Sequence, residues 1–423
     1  MNFGAAPHAP RLVAFPASAS VAPATPFRER LLLTILYLAV LSSSMAFIEP
    51  SPHDAIMIVL AGACVIAGVR IERPVVPLFV LLLLWNVAGL VSVINVVGEQ
   101  KTVQYAITSI YLAMAALLFA CLLARNTETR FGALRSAYIA TAIVSSLIGL
   151  AAYLHLTPAY DQFVWVGRVR STFKDPNVFG PFLILPALFL IESMITRRIT
   201  MRNLIGTMIL LAALLFSFSR GAWINFVLSA VVMLALLVLS GPTPKARLRP
   251  ILLGALAIGA VLLALGALLT IESVRNMLLE RAQLTQSYDV GDGGRFFLQA
   301  IAFREIFDHP LGLGPYEFAR IYGLQQHNVY MQAFLVYGWA GGVSYIALLA
   351  ATLYVGLRYA FVRAPWQYSL AATTAAFVGN TIESYIIDTD HWRHFFLYLG
   401  VIWGLAAASI LRPRGTKPTR SVA

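Results

Sequence analysis

GLQQHNVYMQAFLVYGWAGG, residues 323–342, starts as a polar patch and runs straight into an apolar stretch that continues to residue 357. Such a border marks where a chain enters a bilayer, because about 20 apolar residues in a helix cross about 30 Å of hydrocarbon. Comparable runs recur along nearly the whole chain, which is 59% hydrophobic, 12% charged and has a mean hydropathy of +0.77. These values exclude an ordinary soluble domain. We expect an all-α polytopic membrane protein with about 12 transmembrane helices. The runs lie at 31–48, 55–69, 75–96, 102–124, 134–154, 178–196, 204–217, 222–240, 250–271, 328–357, 367–383 and 394–411.

The net charge of +12 would suggest nucleic acid in a soluble protein; here the positions of the charges carry the information, and no nucleic acid partner is expected. If the N-terminus is cytoplasmic, 20 of the 31 Lys and Arg residues fall in the N-terminal tail, the C-terminal tail and the short inner loops. Positive charge retained on short loops sets orientation, so both termini are expected in the cytoplasm. The expected organisation is a disordered tail at 1–26, one transmembrane domain at 27–411 and a basic tail at 412–423. A long outer loop, 272–326, separates helices 9 and 10. Cys64 and Cys121 lie in different apolar runs and are expected to be buried packing residues.

Six of the seven histidines fall on the outer face, so an active site is expected there. In the long loop, RFFLQAIAFREIF at 295–307 places Phe296, Phe297, Ile301, Phe303 and Phe307 on a broad apolar stripe. That helix either lies along the membrane interface or packs on the outer ends of the bundle. DHPLGLGPYEF, 308–318, reads as a turn that ends the helix, because its GxG alone is too weak for a phosphate loop.

Several outer arginines suit a phosphate ligand, since a guanidinium donates paired hydrogen bonds and keeps its charge. Arg168 and Arg170 precede Asp175-Pro176-Asn177, where Asp175 or Asn177 is expected to cap the next helix. Arg220, in SFSRGAW, sits between two spans with almost no loop, which is costly without a partner or a wet cavity. Arg295 starts the amphipathic helix. His327 is a candidate proton acceptor at the start of a span, and Asn328 beside it a helix cap or orienting partner. DTDHWRHFF at 388–396 is the one Asp/His cluster, and its residues are expected to be solvated turn residues. No metal site, cofactor or nucleotide fingerprint is expected.

RSTFKDPNVFG, SFSRGAW, GGRFFLQAIAFREIFDHPLGLGPYEF and QQHNVYMQAFLVYGWAGG, in that order, resemble the bacterial O-antigen ligase and O-antigen polymerase superfamily, most strongly over 165–345. The resemblance implies a GT-C-like membrane glycosyltransferase of the inner membrane in lipopolysaccharide or exopolysaccharide biosynthesis. The implied donor is a glycan on undecaprenyl diphosphate, and the implied acceptor is a hydroxyl of a lipid-linked glycan, of lipid A-core or of a protein, taken on the periplasmic side among membrane lipids. It further implies His327 and Arg295 as catalytic residues, with Arg170, Arg220, Arg168 and Asn328 contacting substrate. A lipid-linked oligosaccharide flippase or a non-catalytic scaffold is the competing class. Few charged residues within the spans and no pair of Gly/Pro-broken repeats argue against a transporter.

Overall fold

The computed structural model describes residues 26–48, 50–96, 100–282, 291 and 294–412. Except for Pro26 and Arg412, the two tails expected at 1–26 and 412–423 lie outside the described residues. Among the described residues the regular structure is helical apart from one two-stranded hairpin. The first half contains α1 (Phe27–Leu41), α2 (Pro52–Ile66), α3 (Val76–Val93), α4 (Gln100–Ala124), α5 (Thr127–Tyr153), α6 (Tyr160–Phe163), β1 (Val164–Trp165), β2 (Arg168–Val169), α7 (Pro176–Phe182) and α8 (Ile184–Thr196). Then come α9 (Met201–Phe216), α10 (Arg220–Ser240), α11 (Pro244–Leu268), α12 (Glu272–Ala282), α13 (Arg295–Asp308), α14 (Glu317–Tyr322), α15 (Val329–Ala360), α16 (Gln367–Glu383) and α17 (Arg393–Leu411).

Each of the twelve apolar runs coincides for most of its length with a helix. Eight helical segments among the described residues are long and apolar enough to cross a membrane by length and composition. Pro52–Ile66 and Met201–Phe216 are shorter apolar helices, and α1 and α16 have 15 and 17 residues. This is a multi-pass membrane protein.

With lipid outside, helices associate by close backbone approach rather than by hydrophobic burial. α17 packs on α4 in this way. A Cβ at Gly400 would lie 2.7 Å from the Ala116 carbonyl oxygen, and one at Gly404 would lie 2.9 Å from that of Ala120. Ion pairs tie helix ends and loops together at each end of the bundle. Arg130–Glu29, Arg125–Glu72 and Arg135–Glu192 join segments expected inside, and Arg393–Asp54 joins two helix starts expected outside. Each of these four pairs joins segments expected on the same side.

Two spans are broken. Pro186 has no N–H to offer the Phe182 carbonyl one turn earlier, and the Tyr138 hydroxyl donates to that oxygen instead at 3.0 Å. The second break corrects an expectation, because α15 is not one continuous span. Gly338 has φ +67° and ψ −174°, which separates a short N-terminal half-helix from a longer one. The turn at 309–314 enters the gap. Leu313 N–H donates to the Leu335 carbonyl at 2.6 Å, and Trp339 N–H donates to that of Pro310 at 2.9 Å. Backbone groups freed by the break are thus satisfied inside the protein, as a bilayer requires. A Cβ at Gly338 would fall 2.7 Å from the Leu311 carbonyl carbon, so glycine is needed for space as well as for φ.

Candidate active site

The site is built from four segments at the helix ends expected to face outward. The first is the hairpin. Val166 and Gly167 both have positive φ, 48° and 70°, the geometry of a tight two-residue turn, and Trp165 pairs with Arg168. Arg168 is 7% exposed; its Nε donates to the Ser217 carbonyl at 3.0 Å and its Nη2 to Asn177 Oδ1 at 2.7 Å. Asp175 caps α7 by accepting from Asn177 N–H at 2.7 Å. Sequence reasoning treated Arg168 and Arg170 as equivalent. The structure separates them: Arg168 braces the hairpin against the α9–α10 turn, whereas Arg170 is half-buried. Arg170 Nη2 donates to the Asp161 carbonyl, and its Nε finds no hydrogen-bond partner among the described residues.

The α9–α10 turn is the second segment. Ser219 caps α10 through the Ala222 N–H, which leaves Arg220 as the first helical residue. Behind it the Glu383 carboxylate, at the end of α16, packs against Gly221 and accepts from Asn225 Nδ2 at 2.7 Å. This contact brings the loop after α16 beside the start of α10.

That loop, 384–392, is the third segment, and it was misread in sequence as a solvated turn. Asp388 Oδ2 lies 3.1 Å from His327 Nδ1. Asp390 is buried, accepts from the Tyr105 hydroxyl at 2.6 Å and lies 3.2 Å from His391 Nδ1. Burial holds the Asp388 carboxyl above the usual aspartate range, against the hydrogen bond and charge of His327. Burial acts in the same sense on Asp390, but His391 and Tyr105 outweigh it and hold that carboxyl below its usual range. The available signal was that this turn is the one Asp/His cluster on the histidine-rich face. Nothing in sequence spacing linked it to His327, sixty-one residues away.

The fourth segment is the long loop with the start of α15. Asn328 caps α15, its Oδ1 accepting from Tyr330 N–H at 3.0 Å and Met331 N–H at 3.2 Å. Its buried carboxamide oxygen is committed to the helix start. His327 has φ +49°, a left-handed conformation that non-glycine residues occupy at a cost. It is held there from two sides. Val329 N–H donates to the Ser384 carbonyl at 3.0 Å, and Gln299 Nε2 on α13 reaches the Gln326 carbonyl at 3.2 Å. Arg295, one turn before Gln299, is close enough for its charge to act on Asp388.

His327, Asp388 and Arg295 therefore share one locality. The Gly221–Glu383 contact sets the start of α10, where Arg220 lies, beside the end of α16, and Arg168 fixes the hairpin that precedes Arg170 to Ser217. With Asp388 ionised, the His327 proton sits on Nδ1, and Nε2 presents a basic lone pair on a side chain 42% exposed. No group of three or more His, Cys, Asp or Glu arranged to hold a metal ion occurs among the described residues.

A family model described as O-antigen ligase matches residues 205–346. The match begins forty residues after 165, where the resemblance was expected to start, and covers Arg220, Arg295, His327 and Asn328; Arg168, Arg170 and Asp388 lie outside it. Comparison with curated proteins gave no match.

Proposed function

We propose, from the O-antigen ligase signature over 205–346 and the site just described, that this chain transfers a glycan from a lipid diphosphate to an acceptor hydroxyl. The family match supports the O-antigen ligase and polymerase superfamily and, with it, glycosyl transfer in polysaccharide biosynthesis. The finer assignments are the donor, undecaprenyl diphosphate, and the place, the periplasmic side of the inner membrane, with twelve spans and both termini cytoplasmic. Cysteine-accessibility labelling of the two ends tests that orientation.

The observation that carries the proposal is the His327–Asp388 pair at 3.1 Å, within range of the Arg295 charge. In the proposed step the acceptor oxygen attacks the anomeric carbon, its proton passes to His327 Nε2, and the bond from that carbon to the phosphate oxygen breaks. The bonding electrons leave with the lipid diphosphate. Charge thus grows on the leaving group, and fixed guanidinium groups of Arg295, Arg220 and Arg170 lower the barrier by meeting it there. Asp388 keeps the imidazole in the basic tautomer and offsets the positive charge it acquires. An activated lipid donor also accounts for a sequence without a nucleotide fingerprint.

The test is to exchange His327 or Arg295 for Ala in the native host. One surface polysaccharide should disappear while the protein level stays the same; an unchanged glycan profile sinks the catalytic reading and favours a scaffold. Lipid-linked repeats trapped on the cytoplasmic leaflet would instead indicate a flippase. Envelope glycolipid gels then separate ligase from polymerase. Loss of a ligase leaves polymer on the carrier lipid and bare lipid A-core, whereas loss of a polymerase leaves a single repeat on its acceptor.

A further inference from the structure

α13 carries more apolar surface than its packing uses. Leu298 and Ala302 are buried with Phe318 and Leu335, and Ile301 and Ile306 pack against them; these contacts fasten the helix to the bundle. Phe296, Phe303 and Phe307 lie elsewhere on the helix and are 51%, 56% and 58% exposed. Their spacings of seven and eleven residues place them within about 20° of one line along the helix. A helix secured by one apolar face does not need a second one for folding, and exposed aromatic surface of this extent marks a contact made with something else.

The stripe has two defined ends. It starts next to Arg295 and runs about 16 Å, eleven residues at 1.5 Å each, to Phe307. There the Phe307 ring meets Trp339, and the Trp339 indole N–H donates to the Ile306 carbonyl at 2.7 Å, fixing α13 to the longer half of α15. Beyond Trp339 the exposed side chains of Val343 and Ile346 continue along α15 into its lipid-facing surface. A single apolar path therefore leads from the phosphate-binding end of the site to the bilayer.

We propose that this stripe seats the first isoprene units of the donor's polyprenyl chain. The inference rests on the lipid diphosphate reading above and deepens it. A polyprenyl diphosphate whose head lies at Arg295 needs an apolar route from that guanidinium to the hydrocarbon, and the Phe296–Phe303–Phe307–Trp339 line is continuous with both. Tail contacts bind substrate and transition state alike, so the stripe would act on donor affinity and selectivity for chain length.

The experiment titrates full-length protein in detergent micelles with two probes, undecaprenyl diphosphate and dimethylallyl diphosphate, the second having the head with almost no tail. Replacing Phe303→Gln together with Phe307→Gln should weaken undecaprenyl diphosphate about ten-fold and leave dimethylallyl diphosphate unchanged, while Arg295→Gln weakens both. Equal loss for both probes, or no loss for either, overturns the tail assignment. An equal loss for dioleoyl phosphatidylglycerol also overturns it, because the stripe would then be a general lipid seat. If wild-type protein binds neither diphosphate, it is the donor reading that fails, and the two failures are told apart. Thermal unfolding of each variant checks that the exposed substitutions leave the fold intact.

Discussion

The aspartates of two histidine–aspartate pairs stand two residues apart in one loop, and the pairs differ in access. In the His327–Asp388 pair the side chains are 42% and 22% exposed, whereas in the His391–Asp390 pair they are 20% and 5% exposed. Asp390 also accepts from Tyr105, whose ring centroid lies 4.0 Å from that of His391. The closed pair bonds internally and to Tyr105, which anchors the loop to α4, while His391 Nε2 is buried without a hydrogen-bond partner among the described residues. The open pair has one bond between its members and an imidazole edge facing outward. Identical side-chain chemistry thus yields a structural clamp in one place and a candidate proton acceptor in the other, and packing decides which.

The largest expected effect falls on the open pair. His327→Ala should lower transfer by about 10²–10⁴-fold at unchanged protein level, the range for loss of a general base. If His391→Ala costs as much at equal expression, the comparison breaks. Next comes Asp388→Asn, expected to cost about 10–100-fold by releasing the imidazole from its oriented tautomer.

The same variant sharpens the comparison through pH. Burial raises the Asp388 pKa, so on acidification its carboxylate is lost at higher pH than that of an exposed aspartate. Wild-type activity should fall along that acid limb, and the Asn variant should lack it; identical pH profiles would remove Asp388 from the proposed step. For stability the sign is opposite to that of a salt-bridged carboxylate. A raised folded pKa contributes fully below the unfolded value and is lost as pH rises through the folded one. Asp388→Asn should therefore not lower thermal stability near neutral pH, although it lowers activity.

The closed pair should show the reverse pattern. Asp390→Asn disturbs a buried hydrogen-bond network and is expected to cost about 1–3 kcal/mol of stability. Transfer per folded molecule should change only a few-fold, as measured by thermal unfolding alongside a glycan assay. The smallest effect is expected at Arg168. Arg168→Gln can retain part of the bonding to Ser217 and Asn177 and should lower transfer less than Arg170→Gln; a larger loss at Arg168 would reverse the distinction between brace and ligand.

Much of the site was legible because it rests on local rules. Asp175 and Asn328 are caps whose geometry depends on the next three residues, and Arg220 is placed by the shortness of the turn around it. The break in α15 was not legible. Gly338 lies in YGWAGG, a run of small and aromatic residues that a continuous span also tolerates. It becomes a break because a turn twenty-five to thirty residues earlier supplies backbone partners for the freed groups. The hairpin at 164–169 was missed for a different reason: two paired residues per strand leave too little alternation to read.

By itself the sequence determined a multi-pass helical membrane protein, and it supplied the expectation of one face that collects arginine and histidine, because hydropathy and charge act through each residue's own transfer free energy. It also carried three motifs, SFSRGAW, the segment from Gly293 to Phe318 and QQHNVYMQAFLVYGWAGG, that fall within the residues the O-antigen ligase family model matches. Only the tertiary structure decided which carboxylate serves which histidine, which arginine is a brace, and where a span is interrupted. Each of those depends on groups distant in the chain finding one another at hydrogen-bond range in a medium that leaves unpaired polar groups at high cost. His327, read first as a polar residue at a membrane border, is defined by Asp388, sixty-one residues further along.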